Sequence, residues 1–266
     1  MKKRVISAIV MLAIVIPLLI IGGLAFEIAV SIISVGCIYE LMKAKEKEKK
    51  IPVVIKAFAY VFTGGLVFVS SYFNDFNAML DYRMLSSLFL AFLIPVVIIN
   101  DNEKYNINDA LYMIGGIIFL LIALTSFTVV RDLSLSNFLY LMLITIMTDT
   151  FALFSGKLIG KHKLCEKISP NKTIEGAVGG SIAGTIIATL FYMFVINNSA
   201  NVFLVIIITL LLTIIGQIGD LLFSSIKRYY KIKDFSNLIP GHGGILDRID
   251  SLIFVVLTYI LLSTIL

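Results

Sequence analysis

The sequence predicts an all-α protein: a polytopic membrane bundle of about nine transmembrane helices, with its N-terminus in the cytoplasm. Three observations predict this. Hydrophobic residues fill 59% of the 266 positions and charged residues only 15%, and mean hydropathy is +1.01, outside the range of soluble globular chains. Apolar runs close to the ~20 residues that cross a bilayer recur along the chain. Basic residues gather in alternate segments between those runs, as they do in short cytoplasmic loops.

In order, the runs fall at 5–25, 28–43, 53–73, 86–100, 110–130, 138–156, 176–196, 202–226 and 250–265. The first follows Lys2, Lys3 and Arg4, as a secretory leader would. Its length, the lack of an Ala-x-Ala-like site and its direct continuation into the next run favour a retained span. After the second comes KAKEKEKK, Lys43 to Lys50, read as a solvated, lipid-facing loop. Pro17 and Pro95 are candidate helix breaks. Gly176, Gly180 and Gly184 share one face of the seventh helix, which predicts close helix packing in the core or at a dimer interface. Cys37 falls in a span and Cys165 in a cytoplasmic loop, so no disulfide is expected.

An inside N-terminus places every Lys and Arg in cytoplasmic segments except Arg83 and Arg131, and puts the C-terminus outside. The net charge of +5 follows from that bias and from affinity for anionic headgroups, and gives no reason to expect nucleic acid. Residues 1–135 carry few polar groups in their spans and read as a transmembrane scaffold region. Residues 136–266 read as a transmembrane catalytic region with two polar cytoplasmic loops.

The later loop and its flanks, Ser224 to Asp250, hold the densest chemistry. Ionisable groups near bilayer depth are costly and point to a site. Asp220, Ser224 and Arg228 recur every four residues and line one helical stripe, with Lys227 beside it. Asp247 and Asp250 share a face at the start of the ninth helix. Carboxylates brought together in a poorly solvated place suit a hard divalent cation that keeps substrate phosphates as further ligands. Between them, Pro240-Gly241-His242-Gly243-Gly244 excludes regular helix, and a Gly-rich turn ahead of a helix N-terminus suits a phosphate. Lys227, Arg228, Lys233 and Arg248 can neutralise anionic charge.

Plainer roles stand beside these. Lys231 and Lys233 also serve the inside-positive bias, Asp234 can cap or pair with Lys233, and His242 can stabilise the turn. Asp220, Asp247 and Asp250 can form internal salt bridges with Arg228 or Arg248. Asp149, near the middle of the sixth span, is read as lining the same cavity. In the earlier loop, Ser169-Pro170-Asn171-Lys172-Thr173 supplies a turn, hydroxyls and a base, with Thr173 placed to cap the helix begun by Glu175.

These residues resemble the phosphatidate cytidylyltransferases. The resemblance rests on Ser224-x-Ile226-Lys227-Arg228, on Lys233-Asp234-x-Ser236, and on Ile239-Pro240-x-His242-Gly243-Gly244-Ile245-x-Asp247-Arg248-Ile249-Asp250. Ser169-Pro170-Asn171-Lys172-Thr173-x-Glu175-Gly176 resembles a second motif, and Asp149-x-x-Ala152 with Gly156 a third. Leu153 stands where that family often has Tyr, and Lys157 where Arg is common. The resemblance implies a membrane enzyme of phospholipid synthesis that joins CTP to phosphatidate, yielding CDP-diacylglycerol and pyrophosphate. It implies Mg2+, leaves a second cation open, and suggests a homodimer in the cell membrane with its site facing the cytoplasm.

On that basis Asp220 and Asp247 are expected to hold the metal, with Asp250 and Asp149 as further ligands or supports. Lys227, Arg228, Lys172 and Arg248 are expected to bind phosphates, and Ser169, Asn171 and Thr173 nucleotide or triphosphate. Ser224, Lys233, Asp234, Gly243 and Gly244 complete the expected substrate contacts, with His242 as loop organiser or phosphate donor. A CTP-dependent lipid-alcohol kinase and an ion-coupled transporter are the competing classes. A transporter would place its acids near the midplane and in both halves, whereas these lie at one face and in one half.

Overall fold

The computed structural model describes residues 2–73 and 82–263. Nine helices follow in chain order among the described residues: α1 (Lys2–Ile21), α2 (Gly23–Lys45), α3 (Val53–Phe73), α4 (Tyr82–Ile99), α5 (Ile107–Leu133), α6 (Leu135–Ile159), α7 (Ile174–Phe191), α8 (Val202–Tyr229) and α9 (Leu246–Leu262). Each expected span falls mainly on one helix; the first, 5–25, also takes in the start of α2, and the last runs beyond the described residues. By length and composition α2 to α8 are able to cross a membrane, α7 together with the π turn Tyr192–Ile196 that continues it. The apolar part of α1 and the whole of α9 are shorter. The helices run through Pro17 and Pro95 without interruption, so neither proline breaks its span. The only sheet among the described residues is a hairpin, β1 (Lys163–Cys165) paired antiparallel with β2 (Ser169–Thr173).

Two compact units divide the chain. The first comprises residues 1–132 and 234–248, the second 133–233 and 249–266. The turn at 234–248, which the sequence reading places in the catalytic region, therefore clusters with the N-terminal helices. In the first unit, α1 stops at Gly22, which has φ +64. The Arg131 guanidinium fills the space a side chain would need there. It donates to Leu19 O at 3.1 and 3.0 Å and to Ile20 O at 3.1 Å, carbonyls left unpaired by the helix end. This capping explains one of the two basic residues that the inside-positive pattern leaves outside.

The KAKEKEKK run is the solvated loop expected of it only in part: residues 46–50 form a turn with Lys47, Glu48 and Lys50 exposed, but Lys45, Glu46 and Lys49 are tied down. α2 extends to Lys45, and Lys49 reaches Asp109 at 2.6 Å and Asn102 O at 2.9 Å. Lys45 pairs with Glu48, and Lys56 with Glu46. The lysines act as ties between helix ends, because Asp109 is nearly buried and requires a counter-charge.

In the second unit, α7 lies tightly on α6. A Cβ at Gly176 would stand 2.8 Å from Ala152 O, and one at Gly180 2.6 Å from Thr148 O, while at Gly184 it would overlap the Thr148 hydroxyl. The Gly stripe thus serves helix packing inside the core, as its spacing predicts. Thr173 Oγ1 accepts from Gly176 N at 3.1 Å and caps α7. Glu175 accepts from Lys161 N, from His162 N and from the His162 ring, bracing the hairpin against the start of α7.

Candidate active site

Two polar constellations emerge, one in each unit. In the second unit, α6, the hairpin, α7 and α8 enclose an open cavity of about 560 Å³. Asp149, Gly156 and Lys157 line it from α6, Ser169, Asn171, Lys172 and Thr173 from the hairpin strand, and Gln217 and Asp220 from α8. Ala152, Gly156 and Gly176, small residues of the tight α6–α7 contact, also lie in its wall. Asp149 lines the cavity as its intramembrane position suggests.

Lys172 donates to Asp220 Oδ2, joining a base and an acid that the sequence assigns to separate partners. Ser224 Oγ lies 3.3 Å from Asp220 Oδ1, so the helical stripe is realised. Asp250 on α9 is desolvated and feels Coulombic repulsion from Asp220 and Asp149 and attraction from Lys227. Lys227 is only 8% exposed, and buried ammonium groups require negative partners. Arg228 also makes a structural tie: its Nε donates to Ile168 O and its Nη1 to Ile232 O, both at 3.1 Å, fixing the hairpin turn to the end of α8. Gln217, which sequence reasoning passed over, donates to Ser181 Oγ at 2.7 Å and keeps an amide at the cavity wall. Its signal was its place three residues before Asp220 on one helix.

In the first unit, the turn between Asp234 and Arg248 is closed upon itself. Ile239 and Gly243 exchange backbone hydrogen bonds of 2.9 and 3.1 Å, with Gly241 at φ +79 and Gly243 at φ +89. Such angles strain any residue with a Cβ, which accounts for glycine at both positions. His242 N also donates to Ile239 O, and Gly244 N to Asp247 Oδ2 at 2.9 Å. Asp247 Oδ2 further accepts from Phe235 N at 3.0 Å. Ile245 N and Leu246 N donate to Glu40 at 2.8 Å each. The amides expected to cradle a phosphate are satisfied by the chain itself, so an anion at this turn would be met by side chains. Of the turn's charged side chains Arg248 is exposed and has the sign to meet an anion, while the exposed Asp234 would repel it. His242 Nδ1 lies 2.8 Å from Ser7 Oγ of α1.

Carboxylate oxygens are the donors that Mg2+ favours; Asp149 and Asp220 supply them from the cavity wall, and Asp250 from α9 in the same unit. Among the described residues no three His, Cys, Asp or Glu side chains stand at ligand spacing. The carboxylates thus match Mg2+ in donor type alone.

The fold and the site together define a helical membrane protein with a carboxylate- and lysine-lined cavity. The particular family follows from comparison with known proteins. Residues 2–266 match the model of the cytidylyltransferase family, and the chain belongs to that family. It is similar to the phosphatidate cytidylyltransferases of Staphylococcus haemolyticus and Staphylococcus aureus, 33% identical over 256 residues and 96% of each chain. The protein of that name from Staphylococcus epidermidis is 32% identical over the same share.

Proposed function

We propose that this protein transfers a cytidylyl group from CTP to phosphatidate, releasing pyrophosphate and forming CDP-diacylglycerol for phospholipid synthesis. The observation that carries this reading is the second-unit cavity, where hairpin hydroxyls, an amide and Lys172 face Asp149 and Asp220. An anionic, hydroxyl-rich ligand of nucleotide size suits that lining. A phosphatidate phosphate oxygen would attack the α-phosphorus of CTP, forming a new P–O bond as the bond to the β-phosphate bridging oxygen breaks and pyrophosphate leaves. Phosphatidate is already ionised, so no strong base is required. Catalysis is then chiefly alignment and charge neutralisation.

In this reading Lys172 and Lys227 offset triphosphate charge, and Ser169, Asn171 and Thr173 orient the nucleotide. Arg228 holds the hairpin in place through its two carbonyl bonds. Mg2+ would be held by Asp220, with Asp250 and Asp149 as further ligands or supports, and Asp247, expected from the sequence as the other principal ligand, is retained on the family likeness. When bound, the ion supplies neutralisation of the developing negative charge. His242, tethered by Ser7, suits an organiser of its turn better than a base. The membrane is taken to be the cell membrane, with nine spans, an inside N-terminus and the site facing the cytoplasm, which the Lys and Arg pattern favours. A homodimer remains part of the proposal on the family likeness.

The test is label transfer in vesicles containing phosphatidate and Mg2+. CTP labelled at the α-phosphate should yield a labelled liponucleotide, and CTP labelled at the γ-phosphate should yield labelled pyrophosphate only. A labelled lipid from the γ-label would instead establish a kinase, and exhaustive chelation without loss of turnover would refute the metal assignment.

A further inference from the structure

We propose that Glu40, in the middle of the N-terminal scaffold, is a positioning residue for the reaction, holding the turn that carries His242, Asp247 and Arg248. This inference rests on the cytidylyltransferase reading above. The Glu40 side chain is wholly buried, yet it accepts from three donors of that turn: Ser236 Oγ at 2.5 Å, Ile245 N at 2.8 Å and Leu246 N at 2.8 Å. The last two are orphan amides at the start of α9, so this one carboxylate caps the helix that carries Asp247.

The surrounding residues are shaped to the same contact. A Cβ at Gly244 would overlap the Glu40 carboxylate, so glycine is needed there for the carboxylate to reach the amides. One helical turn before Glu40, Gly36 leaves a notch filled by the Ile245 side chain. Gly36, Glu40, Gly244 and Ile245 form a socket and plug, with the socket on α2 and the plug on the turn.

Stability alone does not call for this device. A buried charge is expensive, and well-packed apolar residues usually serve stability as well or better, whereas a buried acid with several directed donors fixes one geometry. Here the geometry fixed is the direction of the first turn of α9, and with it the backbone that carries Asp247 and Arg248. Glu40 touches no substrate in this account and acts through the turn.

The experiment uses the full chain purified in detergent and assayed in phosphatidate vesicles, with Glu40→Gln, Ser236→Ala and the double variant. Glutamine keeps the shape but places an amide donor against a donor. We expect kcat per folded molecule to fall by about 10–100-fold, the usual effect of removing a supporting hydrogen-bond partner. The KM for CTP should change by less than about threefold, because the cavity lining is untouched. Ser236→Ala should cost less, and the double variant no more than Glu40→Gln alone, since the two share one bond. Hydrogen exchange should quicken at the Ile245 and Leu246 amides in Glu40→Gln. A folded Glu40→Gln chain with wild-type kcat, or a loss seen only as less folded protein, overturns the inference. If the wild-type chain makes no liponucleotide, the functional reading falls, while unchanged exchange at those two amides separately refutes the hold of Glu40.

Discussion

Around the turn Asp234–Arg248, the amides of His242, Gly243, Gly244, Ile245 and Leu246 all donate to the chain's own carbonyls and carboxylates. In the second unit, Ser169, Asn171, Lys157 and Asp149 instead face open volume. Both regions are rich in glycine and charge, and from the sequence both read as phosphate sites. The difference lies in where the hydrogen-bonding capacity goes. Satisfied amides rigidify and position, whereas side chains facing a cavity are available to a ligand. The turn is thus a machined part, and the cavity the place where nucleotide is held.

Substitutions can break or sharpen this contrast. The largest effect is expected from Asp220→Asn, which keeps the volume but removes the charge next to Lys172 and Asp250. Turnover should fall by about 10²–10³-fold, the range for loss of one preorganised electrostatic group, with the protein still monodisperse. Lys172→Ala should follow, losing about 10–100-fold in kcat/KM as one phosphate-directed charge disappears. Its loss should appear mainly in the KM for CTP, opposite to the kcat loss expected of Glu40→Gln at the turn. Smaller in activity but clear in stability is Gly180→Val, whose Cβ would stand 2.6 Å from Thr148 O and 2.8 Å from the Ala152 Cβ. It should destabilise by about 1–3 kcal/mol through overpacking, read as a lower midpoint of thermal unfolding.

Much of this was legible in residue order. The helices announce themselves as apolar runs, and the Gly176, Gly180 and Gly184 spacing foretells the α6–α7 packing because a four-residue period is a purely local property. The stripe Asp220, Ser224 and Arg228 was visible for the same reason. Glu40 was not, since its donors are 196 to 206 residues away and no local period points to them. The available signal was physical: an acid within an apolar run must have a partner. The short hairpin was also hidden, because Ser169-Pro170-Asn171 has turn composition and its strand pairing depends on residues before it. Arg228 looked like an anion binder, and only the coordinates reveal the carbonyls of Ile168 and Ile232 on its guanidinium.

The contrast between positioning turn and binding cavity meets its most direct test in cysteine protection. Cys37 is buried, so a Cys165→Ser chain bearing Asn171→Cys reports the cavity, and one bearing Leu238→Cys reports the turn, where Leu238 is 48% exposed. CTP with Mg2+ at ten times its dissociation constant should slow alkylation at position 171 by about tenfold and leave position 238 unchanged. Protection at 238 with none at 171 would contradict the account.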